Sequence, residues 1–124
     1  MDFDEIFAPV VHYDSLQLLL ALASHYRWRP QQLDIKGAFL YGILKEDIYM
    51  QLPKGYSHSS RQNSMCAKLN RYIYGLKQSS REWYYKLSSI LVPYGFTVST
   101  FNSCVLIHKL MQFFLVVYID DITL

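Results

Sequence analysis

The 124-residue chain lacks the features that define several large protein classes. Its only two cysteines, Cys66 and Cys104, form no C-x-x-C pair, so we interpret both as free thiols in a reducing compartment. The longest apolar runs, residues 18–23 and 113–119, are far shorter than the roughly 20 residues that a membrane-spanning helix needs. Neither a G-x-x-x-x-G-K-[ST] loop nor a G-x-S-x-G elbow occurs, so a P-loop nucleotidase and an α/β-hydrolase are not supported. We expect a soluble intracellular protein without a membrane partner.

The composition is that of a folded chain with one core. Hydrophobic residues make up 52% and charged residues only 18%, which excludes disorder over the whole length. The length suits one domain. The net charge of +2 neither requires nor excludes a polyanionic partner, so the distribution of charge matters more than its sum. Aromatic residues, at 16%, are abundant.

The pattern of apolar residues and turn formers predicts an α+β fold with an antiparallel sheet, because the last three elements are a helix and a hairpin rather than a βαβ unit. Asp14 is expected to cap a first helix that ends near Trp28 and is buried, since it is apolar nearly all round. The pattern S-x-x-E from Ser79 to Glu82 predicts a capping box at the start of a second helix. The predicted elements are a helix over 14–28, a strand over 31–35, a turn or short helix over 36–40, strands over 47–52 and 65–69, a helix over 79–94, and strands over 103–110 and 112–120.

Two adjacent carboxylates at the end of an apolar strand are the sharpest local feature. Asp120 and Asp121 follow residues 113–119, and two unpaired carboxylates in such a place repel each other and are costly to desolvate. A divalent cation such as Mg²⁺ would resolve both problems, because it takes oxygen ligands and often uses one or two carboxylates. The alternative is a solvated Asp-Asp turn without a function.

A third carboxylate, Asp34, lies in a short apolar strand. If this strand lies beside the hairpin, Asp34 can face Asp120, and three carboxylates converge at one end of a sheet. Such a site could hold two metal ions that clamp the oxygens of a phosphoryl displacement. The alternative is a strand-end aspartate that caps the turn at Lys36 and Gly37.

Half of the basic residues lie between Arg61 and Lys86, against the single acid Glu82. Five aromatic residues interleave with them. Cations for phosphates together with aromatic faces for bases are typical of a nucleic-acid-binding surface, although a solvated basic helix face would look the same. The residues concerned are Arg61, Lys68, Arg71, Lys77, Arg81 and Lys86, with Tyr72, Tyr74, Trp83, Tyr84 and Tyr85.

Four blocks in series resemble the reverse transcriptase of copia-type LTR retrotransposons. They are FAPVVHYDSLQLLLALA (7–23), QLDIKGAFLYGILKEDIYMQLPKGY (32–56), KLNRYIYGLKQSSREWY (68–84) and VVYIDDITL (116–124). Their order and approximate spacing are those of the family, and together they cover nearly the whole chain. The resemblance implies a right-hand polymerase fold, with residues 1–124 holding most of the palm and part of the fingers. Ser80 departs from the family, since many members have proline there.

The resemblance also implies roles for individual residues in RNA-directed DNA synthesis from deoxynucleotides on a primer–template. Asp34, Asp120 and Asp121 match the catalytic, metal-binding aspartates, with Mg²⁺ as the cofactor and Mn²⁺ as its substitute. Phe39 matches the bulky residue under the sugar that selects against a 2′-hydroxyl. The full implied nucleotide-binding set is Ile35, Lys36, Gly37, Ala38, Phe39 and Gly75. The implied nucleic-acid-binding set is Tyr118, Leu76, Lys77, Gln78 and Arg81.

The resemblance further suggests an incomplete enzyme. The upstream fingers segment, the strand after the Asp120–Asp121 turn, the thumb and the RNase H domain are expected to lie outside residues 1–124. We therefore expect the chain to be inactive alone and to belong with the remainder of a Pol polyprotein, in the cytoplasm (in a virus-like particle) or in the nucleus. The alternative is a domesticated nucleic-acid-binding module without catalysis, against which the three aspartates argue.

Overall fold

The computed structural model of the chain describes residues 9–53, 55–56 and 66–124. The helices are α1 (Tyr13–His25) and α2 (Ser79–Leu91), with short 3-10 helices at Ala38–Tyr41 and Val92–Tyr94. The strands are β1 (Gln32–Asp34), β2 (Tyr49–Gln51), β3 (Cys66–Lys68), β4 (Phe96–Val98), β5 (Val105–His108), β6 (Phe113–Tyr118) and β7 (Asp121–Thr123). No helix of this part of the chain is long and apolar enough to cross a membrane.

The main sheet has five strands in the order β1-β7-β6-β5-β4, and all its neighbours are antiparallel. Strands β2 and β3 form a separate antiparallel pair. The predicted α+β class with an antiparallel sheet is confirmed, and so is the hairpin of β5 and β6. Its turn uses no glycine: Gln112 takes a φ of 55°, and the Met111 N–H donates to Nδ1 of His108.

The core lies between one face of the main sheet and α2. Leu115 and Val117 alternate along β6 and point to the same face, where they meet Trp83 and Leu87 of α2. Leu106 of β5 completes the cluster from the next strand. The first 3-10 helix adds Ala38 and Phe39 to this core, which fixes the segment after Asp34 against the sheet.

Helix α1 differs from its prediction in burial and in capping. Ala23 is its one buried residue, and Leu18 is 61% exposed, so the expected buried helix is wrong. The helix flanks an open apolar groove of about 510 Å³ whose opposite wall includes Phe114 and Val116 of β6. Eight of the 13 residues of α1 are therefore exposed in the part of the chain that the structure describes.

Neither predicted helix cap forms. The N-cap of α1 is His12 without a side-chain cap bond, and Asp14 lies in the first turn, where its charge still favours the helix dipole. Ser79 is inside α2 rather than before it, and its hydroxyl donates to the Ile73 carbonyl at 2.6 Å. The capping box is therefore wrong, because the loop before α2 takes the serine hydroxyl.

Two boundaries and two strands also differ from the predictions. Helix α1 ends at His25, and α2 gives way at Val92 to a 3-10 turn that contains Pro93 and ends at Gly95, whose φ is 94°. Strand β4, which follows this glycine directly, was not predicted. The expectation that the Asp120–Asp121 turn lacks its second strand is wrong, since β7 pairs with β6 on one side and β1 on the other.

The two cysteines differ sharply in accessibility, as free thiols with no disulfide. Cys66 is exposed, whereas Cys104 is buried and its burial raises the pKa of its thiol to about 11. We expect iodoacetamide at pH 8 to label one thiol per native chain and two in denaturant, because the thiolate is the nucleophile. Mass spectrometry of the labelled peptides measures this, and fast native labelling of Cys104 would contradict the described packing.

Candidate active site

The sheet register places two of the predicted carboxylates directly opposite each other. Asp34 of β1 is the partner of Asp121 in β7, and Asp121 is in turn the partner of Tyr118 in β6. Residues paired in this way share a face of the sheet, so the three side chains form a row across three strands. Gln32 donates a long hydrogen bond of 3.5 Å from Nε2 to Oδ1 of Asp121. The row ends at the edge strand β1.

The turn between β6 and β7 brings the third carboxylate to the same end of the sheet. Tyr118 pairs with Asp121, so Ile119 and Asp120 are the two loop residues. Ile119 has a φ of 56°, a conformation that a two-residue hairpin with a type II′ turn requires at this position and that glycine usually supplies. For a β-branched residue such a φ is strained, and it persists only where surrounding contacts enforce it.

Two donors from outside the hairpin hydrogen-bond the main-chain carbonyl groups of this turn. The indole N–H of Trp83, on α2, donates to the Ile119 carbonyl at 2.8 Å. The Ile35 N–H, just after β1, donates to the Asp120 carbonyl at 3.2 Å. Trp83 is only 3% exposed, so its N–H needs a partner within the protein. The strained loop is therefore tied to both α2 and β1.

Tyr74 contacts the Asp120 carboxylate itself. Its hydroxyl donates to Oδ2 of Asp120 at 2.6 Å, and its ring lies 4.4 Å from the ring of Phe39, centroid to centroid. The hydrogen bond to Asp120 raises the pKa of the Tyr74 phenol, with smaller contributions from burial and from the negative charges of Asp120 and Asp34.

The described residues contain no group of three or more His, Cys, Asp or Glu side chains close enough to hold a metal ion. Asp34, Asp120 and Asp121 therefore lie at the same end of the sheet, as predicted, but their side chains are not close enough together to form a three-ligand metal site. Asp34 and Asp121 lie in the strand row, whereas Asp120 is at the turn and bonded to Tyr74. The donor chemistry nevertheless fits Mg²⁺, which commonly binds one or two carboxylates and completes its shell with water and substrate phosphates.

Five of the six predicted nucleotide-binding residues, 35–39, follow β1 around a tight turn, and Gly75 lies in the loop before α2. Gly37 and Gly75 have φ values of 65° and 95°, which suit glycine. Lys36 is exposed, whereas Ala38 is buried and Phe39 is only 4% exposed beneath Tyr74. The surface next to Asp120 is thus formed by the exposed Tyr74 ring more than by Phe39. The nucleotide-binding roles stay predictions.

The basic, aromatic stretch is exposed only in part. Tyr72 and Trp83 are buried, and the Tyr84 hydroxyl donates to the Ser103 carbonyl, so these rings are structural. Lys68 pairs with Asp47 in a solvent-exposed ion pair. Arg61 lies outside the described residues. The exposed members of the stretch are Lys68, Arg71, Tyr74, Lys77, Tyr85 and Lys86.

The five predicted nucleic-acid-binding residues lie in two places. Tyr118 is half-exposed in the strand row beside Asp121. Leu76, Lys77 and Gln78 form the loop before α2, of which Lys77 is exposed. Arg81 is partly buried in the first turn of α2 and reaches Glu82 at 3.4 Å. Their binding roles stay predictions.

Two residues of the site were not assigned to it from the sequence. Tyr74 and Trp83 were counted only among the aromatic residues of the nucleic-acid-binding stretch, although each bonds to the Asp120 turn. The one available signal was that a tryptophan in an apolar helix face needs an acceptor for its N–H. The sequence could not show that the acceptor is Ile119.

Comparison with known proteins identifies the family. The reverse transcriptase (RNA-dependent DNA polymerase) family matches residues 1–124. The chain belongs to the reverse transcriptase family. This confirms the resemblance carried by the four sequence blocks, and it places the carboxylate end of the sheet within a reverse transcriptase segment.

Its relatives include polyproteins of plant and yeast transposons. The segment is 39% identical over 124 residues to the retrovirus-related Pol polyproteins from transposon TNT 1-94 of Nicotiana tabacum and from transposon RE1 of Arabidopsis thaliana. It is 33% identical over 115 residues to the transposon Ty1-BL Gag-Pol polyprotein of Saccharomyces cerevisiae. These alignments cover 98%, 98% and 92% of the segment but only 9%, 8% and 6% of the relatives. No solved structure matches it.

Proposed function

We propose that this reverse transcriptase segment supplies the carboxylates for RNA-directed DNA synthesis by a Pol polyprotein. The observation that carries the proposal is the antiparallel register, which sets Asp34 opposite Asp121 and brings the Asp120 turn to the same end of the sheet. Asp34 and Asp121 destabilise the sheet by themselves, because like charges directly opposite in a sheet repel. A function that uses the negative charge explains why the row is present.

The three aspartates are proposed to bind Mg²⁺, or Mn²⁺ in its place, through hard carboxylate oxygens. Divalent ions bound there would activate the primer 3′-hydroxyl and neutralise the triphosphate during nucleotidyl transfer. The chain's own contribution is to fix the carboxylates on a rigid sheet and a tied turn. Asp34 and Asp121 are fixed by strand pairing, and Asp120 by the contacts from Trp83, Ile35 and Tyr74.

The incoming deoxynucleotide is proposed to lie over the turn that follows β1, between Lys36 and the Tyr74 ring. Lys36 is an exposed cation one residue after Ile35 and can contact phosphates. The Tyr74 ring covers Phe39, so both rings together would form the floor under the sugar. This floor is rigid because Phe39 belongs to the core, as exclusion of a 2′-hydroxyl by shape requires.

The primer–template is proposed to contact Tyr118 and the loop of Leu76, Lys77 and Gln78, with Arg81 behind it. The exposed Tyr118 ring stands in the same row as Asp121 and offers a stacking face. Lys77 offers charge to a phosphate backbone. The right-hand palm and fingers assignment, the rest of a Pol polyprotein as partner, and the cytoplasmic or nuclear location belong to the same proposal.

The segment alone is proposed to be inactive, and a chimaera to be active. In the chimaera, residues 1–124 replace the matching segment of the tobacco relative, with which they share 39% identity. We expect the chimaera to extend a DNA primer on an RNA template with Mg²⁺, while residues 1–124 alone, which match only 9% of that relative, give no product above background. Robust synthesis by the isolated chain would overturn the claim of inactivity. A folded chimaera without synthesis would contradict the proposed function.

A further inference from the structure

Two side chains from outside the hairpin, Trp83 and Tyr74, hydrogen-bond the Asp120 turn, one at its main chain and the other at its carboxylate. Trp83 donates to the main chain at Ile119, and Tyr74 donates to the carboxylate of Asp120. The two donors come from different places, α2 and the loop before it, so each constrains the turn independently of the hairpin. Tyr74 bonds Oδ2 of Asp120, and no hydrogen bond from a described residue reaches the other carboxylate oxygen, Oδ1.

The local conformation makes such support necessary. Ile119 is a β-branched residue with a φ of 56°, which a free hairpin would relax. Relaxation of Ile119 would rotate the next peptide and move the Asp120 carboxylate away from Asp34 and Asp121. The Trp83 N–H opposes this rotation because it is directed at the Ile119 carbonyl from a buried, packed ring.

We propose that Trp83 and Tyr74 are positioning residues for Asp120: Trp83 fixes the strained main chain of the turn, and Tyr74 orients the carboxylate so that Oδ1 is left to a divalent cation. The inference rests on the proposed function, since it concerns the same site. Partners that hydrogen-bond a metal-binding carboxylate typically contribute 10- to 100-fold to metal affinity. Neither residue needs to touch substrate for this role.

The test uses substitutions that remove one polar atom and keep the ring. Tyr74→Phe keeps the contact with Phe39 and removes the hydroxyl, and Trp83→Phe keeps an aromatic ring in the core and removes the indole N–H. The chain offers a matched control for each. Trp28→Phe alters a ring that stacks on Tyr26 and Phe114, and Tyr94→Phe alters an exposed phenol in the 3-10 helix that follows α2.

The first measurement is a titration of the 124-residue chain with Mn²⁺ alone, followed by the electron paramagnetic resonance signal of the free ion. We expect Tyr74→Phe and Trp83→Phe each to weaken Mn²⁺ binding by about 10- to 100-fold. The two controls should stay within about twofold of the unsubstituted chain. The loss of Mn²⁺ affinity in Asp120→Asn measures how much of the binding depends on this carboxylate.

The second measurement needs no substitution and no metal. The two tryptophans give two indole N–H signals in a ¹⁵N-labelled sample, and we expect the Trp83 N–H to exchange with solvent much more slowly than that of Trp28. Added Mn²⁺ should broaden the Trp83 signal before the Trp28 signal. This readout stays informative if Trp83→Phe fails to fold.

The outcomes separate the inference from the proposed function. If Asp120→Asn abolishes Mn²⁺ binding but Tyr74→Phe and Trp83→Phe bind as tightly as the controls, the positioning role is overturned and the metal assignment stands. If the unsubstituted chain and Asp120→Asn bind equally, both are overturned. Equal exchange rates for the two indole N–H groups overturn the role of Trp83 whatever the metal does.

Discussion

Replacing Asp120 by Asn in the chimaera is expected to lower primer extension on the order of 1,000-fold. A metal-binding carboxylate supports several kcal/mol of charge stabilisation, and each 1.4 kcal/mol is about tenfold in rate. Asn has the shape of Asp, and its carbonyl oxygen can still accept the Tyr74 hydroxyl, so the turn is expected to keep its contacts. The loss is therefore one of charge rather than of fold. Rates of single-nucleotide addition with saturating primer–template measure it.

The matched control for this prediction is Asp47→Asn. Asp47 is a solvent-exposed acid that pairs with Lys68 of β3, and β3 belongs to a different sheet from the strands that carry the Asp120 turn. An exposed ion pair contributes little to stability, so the control should retain nearly full extension. Binding of the primer–template, measured separately, should change little in either variant. If Asp120→Asn keeps the activity of the control, Asp120 is not a metal ligand.

The regular part of the fold could be predicted because it depends on local pattern. The apolar run 113–119 predicts β6, the predicted strand over 103–110 contains β5, and a hairpin follows from their closeness in sequence. Strand β4, Phe96–Val98, was missed, and its three residues follow the end of the predicted second helix almost directly. It forms because Gly95, with its positive φ, ends the 3-10 helix and lets the next residues pair with β5.

The candidate site could be predicted only in part, because its geometry depends on distant contacts. The adjacent acids Asp120 and Asp121 are visible in the sequence, but their separation onto a loop and a strand depends on the unusual φ of Ile119. No residue in the sequence signals that φ, since isoleucine disfavours it. The bond that enforces it joins Trp83 to Ile119, from different elements. Tertiary contacts here override local preference.

The burial of α1 could not be predicted from its sequence either, because burial depends on what packs against the helix. Leu18 and Leu20 are apolar residues that predict a covered helix, yet both are exposed. Asn102 ties α1 to the loop before β5 through a hydrogen bond to Ser15, and the groove beside it stays open. Apolar composition shows how much surface a helix can bury, whereas the described residues supply a partner for only part of that surface.

The candidate active site depends on the stability of the main sheet. Leu106→Ala, a change in the core of that sheet, is expected to lower the free energy of unfolding by about 3 kcal/mol. Leu106 is 0% exposed in β5, where it is the partner of Leu115 in β6 and Val98 in β4. Truncating a fully buried leucine removes apolar burial and leaves a cavity, which typically costs about 2–5 kcal/mol. Urea unfolding followed by tryptophan fluorescence measures the change.

Leu110→Ala is the matched control for that variant. Leu110 lies in the turn after β5 and is 94% exposed, so the same truncation removes almost no buried surface and should change stability by less than about 0.5 kcal/mol. A shift of the urea midpoint at constant slope identifies a true loss of stability in Leu106→Ala. Equal midpoints for the two variants would mean that β5 is not packed in the core. Because β5 supports β6, and β6 leads into the Asp120 turn, a packed β5 is a condition for the proposed active site.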